Sequence, residues 1–464
     1  MEHSPPVETA GSSRRTTPAL STFPRPDLRL TGDHGKDSAA LERHLAAGEA
    51  QLAGLPPRGD RTPAQERAAE QTRRAGRAAR HAFLTRHAVR VYDELTAGRT
   101  RSPSLDDLAH AAAERYPGLV PGRALMAAEN RLPQEDKSGH EIDQGILFAH
   151  LLADPATGEH LLDATLRPTP EAYARLDAFV RTGHADLGRA VIDRRAGVAH
   201  VTIRNDRYLN AEDDAVVQAL ETAVDLALLD DQVAVGVLRG GTLTKPRYAG
   251  RRVFGSGINL THLFAGRISF LGFMLRRELG YIRKLTHGLR REDPGAHPFT
   301  ASAGKPWVGA VDTFAIGGAA QVALVLDRVV ADDEAYFTLP ALREGIIPGA
   351  AGLRLTHLLG SRRSRRMIFF DERVDAATPA GALLCDETVP PDRLDGAVDD
   401  AAVRLADPAV PSNRRMFQLA LEPDDRFRRY LSHYAWEQAH RLHSPHVIAK
   451  LQETWVRRRT SWTD

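Results

Sequence analysis

Apolar positions divide the chain into regions with different periods. Residues 1–37 are rich in Ser, Thr, Pro and charge and cannot bury enough apolar surface to order themselves, which predicts a mobile arm. From 38 to about 190 the apolar residues recur at helical spacing, which predicts an all-α domain. The clearest stripe has intervals of four, three and four residues: Leu84, Ala88, Val91 and Leu95.

Helix boundaries in this region are marked by local signals. Thr62, with Pro63 after it and Gln65 three residues on, forms the pattern of a capping box that opens a helix. Further helices are predicted over 104–116 and 169–182. A segment with three ionisable residues is predicted to interrupt the helices: Glu141, Asp143 and His150.

Beyond Gly197 the pattern changes to short β-branched runs that alternate with helical segments. Strands are predicted at 198–204, 233–238 and 307–312, and helices at 213–229, 352–359, 361–370 and 378–384. Alternating strands and helices predict an α/β fold with right-handed connections. We therefore assign 191–410 to an α/β core and 411–464 to a C-terminal helical segment.

Composition narrows the possible classes of protein. The 464 residues carry 62 Lys and Arg against 60 Asp and Glu, a net charge of +2, which argues against a nucleic-acid or membrane-surface binder. A single cysteine, Cys385, excludes an internal disulfide framework and Cys-only metal sites, and fits a reducing cytosol. With neither a signal-like N-terminus nor a long apolar run, the expected location is cytoplasmic.

Two glycine turns are the strongest candidates for a chemical site. One spans 254–260, and the other spans 314–321, between a predicted strand and a predicted helix. Glycine lets the backbone approach a ligand closely, and a helix N-terminus presents unpaired N–H donors. Two such turns aimed at one carbonyl oxygen would form an oxyanion hole, although tight packing between strand and helix explains the same glycines.

The order of the motifs adds a resemblance to these local signals. RVFGSGINL at 252–260, KPWVGAVDTFAIGGAAQ at 305–321 and AYFTLPALREGIIPGAAGLRL at 335–355 resemble the crotonase (enoyl-CoA hydratase) superfamily. The resemblance implies a spiral of β-β-α turns, a CoA thioester substrate and a trimer-based assembly. It also implies that the oxyanion donors are the backbone N–H groups of Ile258 and Gly318.

Two positions depart from the hydratase pattern. Hydratases of this superfamily carry glutamates where this chain has Gln321 and Ala341. Water addition needs a paired general acid and base, so hydratase activity is not expected. The oxyanion turns, which would stabilise a thioester enolate, are retained.

A narrower resemblance covers most of the chain. RNDRYLNAEDD at 204–214, KPRYAGRRVFGSGINLTHLF at 245–264 and ISFLGFMLRRELGY at 268–281 are similar to the crotonase-type dioxygenases of glycopeptide-antibiotic (dihydroxyphenylglycine) biosynthesis. Such enzymes oxidise 3,5-dihydroxyphenylacetyl-CoA with O2 to the arylglyoxylate and CoA, without metal or organic cofactor. The resemblance implies the same activity here, in a trimer-based homo-oligomer with a hexamer as the expected form.

This resemblance also implies roles for individual residues. Glu212, Arg277 and Gln321 would contact the ring hydroxyls or help to set their protonation. A small dry pocket for O2 would be shaped by three further residues: Leu260, Ala341 and Ile346.

Each assignment has an alternative. Glu212 would equally fit the solvated start of a helix, and Arg277 would fit a surface ion pair. The three residues of the O2 pocket would equally fit an ordinary hydrophobic core. Lys245 stands where a His is expected, which leaves the ring-substitution pattern of the substrate open. Two other functions also stay open for the whole chain: an arylacetyl-CoA thioester hydrolase, and a catalytically silent scaffold.

Overall fold

The computed structural model describes residues 28–290 and 302–460. Most of the predicted mobile arm lies outside these residues, and its last four, 34–37, form the first turn of a helix. The N-terminal region is helical, and its α-helices are α1 His34–Ala53, α2 Pro63–Leu95, α3 Leu105–Arg115, α4 Arg123–Glu129, α5 Glu141–Ala153, α6 Pro155–Thr165 and α7 Pro170–Thr182.

The capping box at the start of α2 is confirmed. The Gln65 N–H donates to the Thr62 hydroxyl, and the Thr62 N–H donates to the Gln65 side chain at 2.9 Å. These bonds satisfy two backbone donors that a helix start otherwise leaves open. Three residues of the predicted stripe, Leu84, Ala88 and Val91, are buried, and Leu95 at the end of the helix is partly buried against the same core.

The predicted interruption at 141–150 is wrong, because this segment is the buried helix α5. Its polar residues have partners remote in sequence. Glu141 accepts from the Phe270 N–H at 2.8 Å and pairs with His443 at 3.0 Å, while Asp143 lies 3.3 Å from Arg80. Polar residues in this segment therefore do not mark a break in the helical structure, because their partners lie in the core.

The strands and the elements between them build the α/β core. In chain order these are β1 His184–Asp186, β2 Ala190–Arg195, β3 Val198–Ile203, α8 Asp214–Leu229, β4 Val235–Gly240, α9 Leu260–Phe264, a π-helical segment Phe270–Leu275, α10 Arg276–Leu279, α11 Tyr281–His287, β5 Leu289–Arg290, β6 Ser302–Ala303, β7 Trp307–Val311, β8 Phe314–Ile316, α12 Gly318–Ala323, β9 Arg328–Asp332, β10 Tyr336–Thr338, α13 Ala341–Glu344, α14 Ala351–Phe369, β11 Val374–Asp375, β12 Glu387–Val389 and α15 Leu394–Leu405. The C-terminal helices are α16 Val410–Leu421, α17 Asp424–Leu442 and α18 Pro445–Thr460.

The main sheet has the order β1-β2-β3-β4-β7-β9-β12 and is parallel from β3 onwards. Helix α8 packs against β2 and β3, and α15 packs against β4, β7 and β9. The central strands are therefore apolar on both faces, as buried parallel strands are. A second sheet, β11-β10-β8, runs beside it. This architecture confirms the predicted α/β class with N- and C-terminal helices.

The segments after Gly349 agree with the sequence in part. Gly360, at φ +68°, breaks α14 between the two predicted helices. The helix predicted over 378–384 is only a 3-10 turn, Gly381–Leu383. This segment links β11 to β12, where a Cβ on Gly381 would lie 2.2 Å from the Ala376 carbonyl oxygen, so it is held as a tight connection.

The helical regions at the two ends of the chain meet, because α5 packs along α17. The domain limits near 37, 190 and 410 stay predictions. In the part of the chain that the structure describes, every helix is too short or too polar to cross a membrane.

Candidate active site

The two glycine turns lie against each other. Gly255 and Ala315 form a parallel bridge, and the Ile316 N–H donates to the Gly255 carbonyl at 3.0 Å. Gly257 has φ +82°, and a Cβ there would lie 2.9 Å from the Ile316 oxygen and 3.2 Å from the Gly318 nitrogen. The backbones touch at a distance that only glycine permits.

This register brings the two predicted oxyanion donors to one place. Ile258 and Gly318 each lie three residues beyond the bridge between Gly255 and Ala315, and both line one cleft. Gly318 is the first residue of α12, where backbone N–H groups have no partner within the helix. Among the described residues, neither N–H donates a hydrogen bond to the protein. Both are therefore available to one acceptor atom.

The cleft below these turns has a volume of about 440 Å³ including its open mouth. Its lining comes from the glycine turns, the π-helical segment, α10, α12, α13, the loop after α13, and α17. The lining residues are Ile258, Phe273, Met274, Arg277, Glu278, Gly317, Gly318, Gln321, Leu339, Ala341, Glu344, Ile346, Ile347, Pro348, Gly349 and Tyr434.

Six of the eight residues proposed from the sequence line this cleft. Ala341 and Ile346 contribute apolar groups to the lining, here called its apolar side, and Arg277 and Gln321 contribute polar groups, here called its polar side. The two backbone donors line the same cleft. Glu212 lies behind Arg277 rather than in the lining. Leu260, at the start of α9, is half-buried against the main core and is not part of the cleft lining in the described structure.

Arg277 is the centre of a buried polar network. Its guanidinium donates to Glu212 at 2.6 Å, to Glu278 at 2.8 Å, to the Gln321 side-chain oxygen at 3.2 Å and to the Gly318 carbonyl at 2.6 Å. Glu212 and Arg277 are only 2% and 4% exposed, so neither the solvated helix start nor the surface ion pair describes them. The network ties the polar side of the cleft to the second glycine turn.

The charge state of this network follows from its pairing. Burial opposes the charge of Arg277, but the Glu212 carboxylate, with Tyr281 and Glu278, outweighs it and raises the pKa of Arg277 above its ordinary value. Burial, together with Glu212, holds the pKa of Tyr281 well above 10. The Tyr281 hydroxyl therefore donates to Glu212, which leaves the other Glu212 oxygen to Arg277.

Glu278 also has a second cation, which the sequence did not reveal. Arg354 of α14 lies 3.3 Å from Glu278 and binds Glu422 through two hydrogen bonds of 2.8 and 2.9 Å. Glu278 is thus held between two guanidinium groups. Its carboxylate oxygens therefore already have cationic partners on α10 and α14.

A π-helical segment presents the cleft side chains. It begins at the Ser269 cap, whose hydroxyl accepts from the Gly272 N–H at 2.9 Å, and runs directly into α10. Phe273 and Met274 of the π-helical segment and Arg277 of α10 all line the cleft. Such segments are rare and frequently occur at functional sites.

Glu344 is a cleft residue that sequence reasoning missed. It lies three positions after Ala341 on α13, so both face the cleft, and burial raises the pKa of its carboxyl to about 7. Within the described residues its carboxylate has no hydrogen bond or ion pair. The i, i+3 spacing from Ala341 was the available signal, but the loss of the hydratase glutamate at Ala341 drew attention away from it.

The arginines on α14 near residue 365 are not part of the cleft lining in the described structure. Arg363 and Arg366 both contact Glu372, at 3.0 and 3.2 Å, on the surface of α14. Among the described residues, no group of three or more His, Cys, Asp or Glu side chains is arranged to hold a metal ion.

Comparisons with known proteins agree with this architecture. Residues 299–444 match the family model for enoyl-CoA hydratase/isomerase. A "(3,5-dihydroxyphenyl)acetyl-CoA 1,2-dioxygenase" of Amycolatopsis orientalis is 49% identical over 430 residues, which cover 93% of this chain and 98% of that protein. A probable enoyl-CoA hydratase of Rhizobium meliloti is 26% identical over 249 residues, 52% of this chain and 87% of that one.

Two solved structures show a weaker similarity. An enoyl-CoA hydratase from Mycobacterium avium subsp. paratuberculosis is 23% identical with a TM-score of 0.47, over 58% of this chain and 99% of that one. An enoyl-CoA hydratase/isomerase from Xanthobacter autotrophicus is 23% identical with a TM-score of 0.48, over 60% of this chain and 97% of that one. On its sequence matches, above all the 49% identity over nearly its full length, the chain belongs to the enoyl-CoA hydratase/isomerase (crotonase) family.

Proposed function

We propose that the chain is a dioxygenase that converts (3,5-dihydroxyphenyl)acetyl-CoA and O2 into (3,5-dihydroxyphenyl)glyoxylate and CoA without metal or organic cofactor. The observation that supports this most is the cleft itself. It is lined by Ile258 and Gly318, whose N–H groups have no partner in the described structure, and it has Gln321 and Ala341 where water addition would need an acid–base pair. The 49% identity with a protein of this named activity supports the choice of substrate.

The first part of the proposed reaction is enolate formation. The thioester oxygen would accept from the Ile258 and Gly318 N–H groups, which face the cleft without other partners in the described structure. Each such donor stabilises a developing oxyanion by roughly 2.7–4 kcal/mol. Because the donors are backbone groups at rigid turns, they need no reorganisation when the charge develops.

The polar side of the cleft would bind the aromatic ring. Arg277 and Gln321 line it and can contact ring hydroxyls directly, whereas Glu212 acts behind Arg277 by fixing the guanidinium. An amide such as Gln321 can donate and accept hydrogen bonds but cannot ionise, so it orients a phenol without removing its proton.

The apolar side would admit O2 next to the enolate. We propose Ala341 and Ile346 for this pocket, and Leu260 only as support behind it, since Leu260 does not line the cleft. The electron-rich enolate donates an electron to O2, and recombination forms the bond between the α-carbon and oxygen. The peroxide then attacks the thioester carbon and expels CoA. Cleavage of the O–O bond with loss of the second α-proton gives the α-keto acid, and both oxygen atoms are in the product.

An oxygen-electrode assay with chelator-treated protein and (3,5-dihydroxyphenyl)acetyl-CoA tests the proposal. We expect one O2 consumed for each CoA released, and 18O2 label in the carboxylate of the α-keto acid. Release of arylacetate and CoA at the full rate without O2 would show a thioester hydrolase instead. No turnover under either condition would show a silent scaffold.

We also propose a trimer-based homo-oligomer, with a hexamer as the expected form. Helix α16 exposes large apolar side chains: Met416, Phe417 and Leu419 are each about two-thirds exposed. Apolar groups concentrated on one exposed helix mark an interaction surface. Cytoplasmic location and a role in antibiotic biosynthesis stay predictions from the sequence.

Replacing Phe417 by Ser should weaken this assembly. Loss of one buried aromatic side chain costs about 2 kcal/mol, or roughly a thirtyfold weaker subunit affinity. Light scattering over a dilution series should show dissociation at higher concentration than for the unchanged protein. Val403→Ser, at a position that is 74% exposed on α15, is the control and should leave the dissociation unchanged. A monomeric unchanged protein at micromolar concentration would contradict the proposal.

A further inference from the structure

We propose that Glu344 is the base that removes the α-proton of the bound thioester. The inference rests on the proposed function, and it names a group that the family resemblance does not supply. Glu344 is the last residue of α13 and lines the cleft.

The position of Glu344 fits a proton acceptor. A Cβ built on Gly317 would lie 3.9 Å from Glu344 Oε1, so the carboxylate stands beside the residue that precedes the Gly318 donor. A thioester whose oxygen meets that donor places its α-carbon one bond beyond the carbonyl carbon. The carboxylate is therefore near the carbon whose proton must leave.

The other cleft groups are unsuited to this task. Glu278 is paired with Arg277 and Arg354, and Glu212 is bound by Arg277 and Tyr281 behind the lining. Gln321 cannot ionise. Among the described residues that line the cleft, Glu344 is the carboxylate left without a cation in hydrogen-bond contact.

The backbone around Glu344 is held firmly. Lys450 of α18 donates to the Leu342 carbonyl, Arg441 of α17 donates twice to the Gly345 carbonyl at 3.0 and 2.7 Å, and Gln438 accepts from the Ile347 N–H at 2.9 Å. Lys450 and Arg441 thus bind backbone carbonyl groups on either side of Glu344, not its carboxylate. The side chain is thus positioned on a rigid turn, as a catalytic group requires.

The electrostatic surroundings favour a base that works near neutral pH. Burial is the main cause that raises the pKa of Glu344 to about 7, Arg343 beside it acts to lower the pKa, and Asp371 acts to raise it. The charged groups packed around it are Lys450 on α18 and Arg441 on α17, both bound to carbonyl oxygens. Two further charged residues of the cleft lining, Arg277 and Glu278, are paired with each other. A general base is most effective when its pKa lies near the operating pH.

The proposed step is a simple proton transfer. The α-carbon–hydrogen bond breaks, its electron pair forms the enolate, and the negative charge develops on the thioester oxygen between Ile258 and Gly318. The proton passes to a Glu344 oxygen, which releases it to solvent or to the departing CoA thiolate. No oxidant takes part in this step, so it can be followed without O2.

Anaerobic hydrogen exchange separates this step from the oxidation. The full-length protein is incubated in D2O with (3,5-dihydroxyphenyl)acetyl-CoA, and loss of the α-proton signal is followed by NMR. We expect Glu344→Gln to slow exchange about a hundredfold, with the dissociation constant of the thioester unchanged within about threefold. Glu344→Asp should keep part of the rate. Glu334→Gln removes an exposed carboxylate that contacts Arg251 and is the matched control, with unchanged exchange.

The pH profile supplies a second readout that does not depend on a variant folding. The exchange rate of the unchanged protein should rise about tenfold per pH unit below a midpoint near 7 and level off above it. The inference would be overturned if Glu344→Gln exchanged the α-proton at the unchanged rate, or if the profile of the unchanged protein were flat between pH 6 and 8. In either case, O2 consumption would still support the proposed function. A protein that neither exchanges the α-proton nor consumes O2 would overturn both.

Discussion

Replacing Arg277 by Met is expected to lower the free energy of unfolding by about 3–5 kcal/mol and kcat by about a thousandfold. Glu212 and Glu278 are buried, and removal of one partner of a buried ion pair leaves an uncompensated charge. Arg354 still pairs with Glu278, so most of the loss comes from Glu212. Activity falls further, because the guanidinium also holds the Gly318 carbonyl and the Gln321 side chain. Urea unfolding and oxygen-electrode kinetics measure the two losses.

The loss of stability should depend on pH and on the partner carboxylate. Without Arg277 the Glu212 carboxylate is buried and lacks its cation, and acid removes the charge by protonation. The loss in the free energy of unfolding should therefore be smaller at pH 5 than at pH 8. The double change Glu212→Gln and Arg277→Met removes that charge and should recover part of the deficit. Arg363→Met, which removes a surface partner of Glu372, should cost less than about 1 kcal/mol. A deficit that is equal at both pH values and unrelieved in the double variant would contradict this account.

The sequence predicted best those features whose causes are local. The capping box at Thr62 is built from residues three apart, and the strand that became β3 was visible in its own β-branched run. The two glycine turns were also found, because each needs a backbone conformation that few residues adopt. Their mutual contact could be expected only from the order of motifs that the family shares.

The parts that sequence reasoning missed depend on contacts between distant residues. Helix α5 was misjudged because the partners of Glu141 and Asp143 lie on other elements, including His443 three hundred positions away in the chain. Arg277 is likewise paired with Glu212, 65 positions earlier in the chain, and no periodicity connects the two. Helices α14 and α18 pack against α13, so the burial that raises the pKa of Glu344 could not be anticipated from α13 alone.

Gly318→Ala is expected to lower kcat about a thousandfold, because its new methyl group disturbs both sides of the proposed site. A Cβ there would lie 2.6 Å from Glu212 Oε2 and 3.1 Å from Arg277 Nη2. Neither group can yield, since Glu212 is held by two hydrogen bonds and Arg277 by four. The start of α12 must therefore shift, and it moves the N–H donor away from the thioester oxygen. Loss of one such donor alone costs a hundredfold to a thousandfold.

A glycine with open surroundings provides the control for this change. Gly396 is on α15, and a Cβ there would have no neighbour within 4 Å. Gly396→Ala should leave kcat unchanged and raise the free energy of unfolding by up to about 1 kcal/mol, because alanine restricts the unfolded chain. Gly318→Ala should instead lower the free energy of unfolding by about 1–3 kcal/mol, because the added methyl group overpacks the site. If Gly318→Ala kept half of the unchanged kcat, the second glycine turn would have no part in stabilising the enolate.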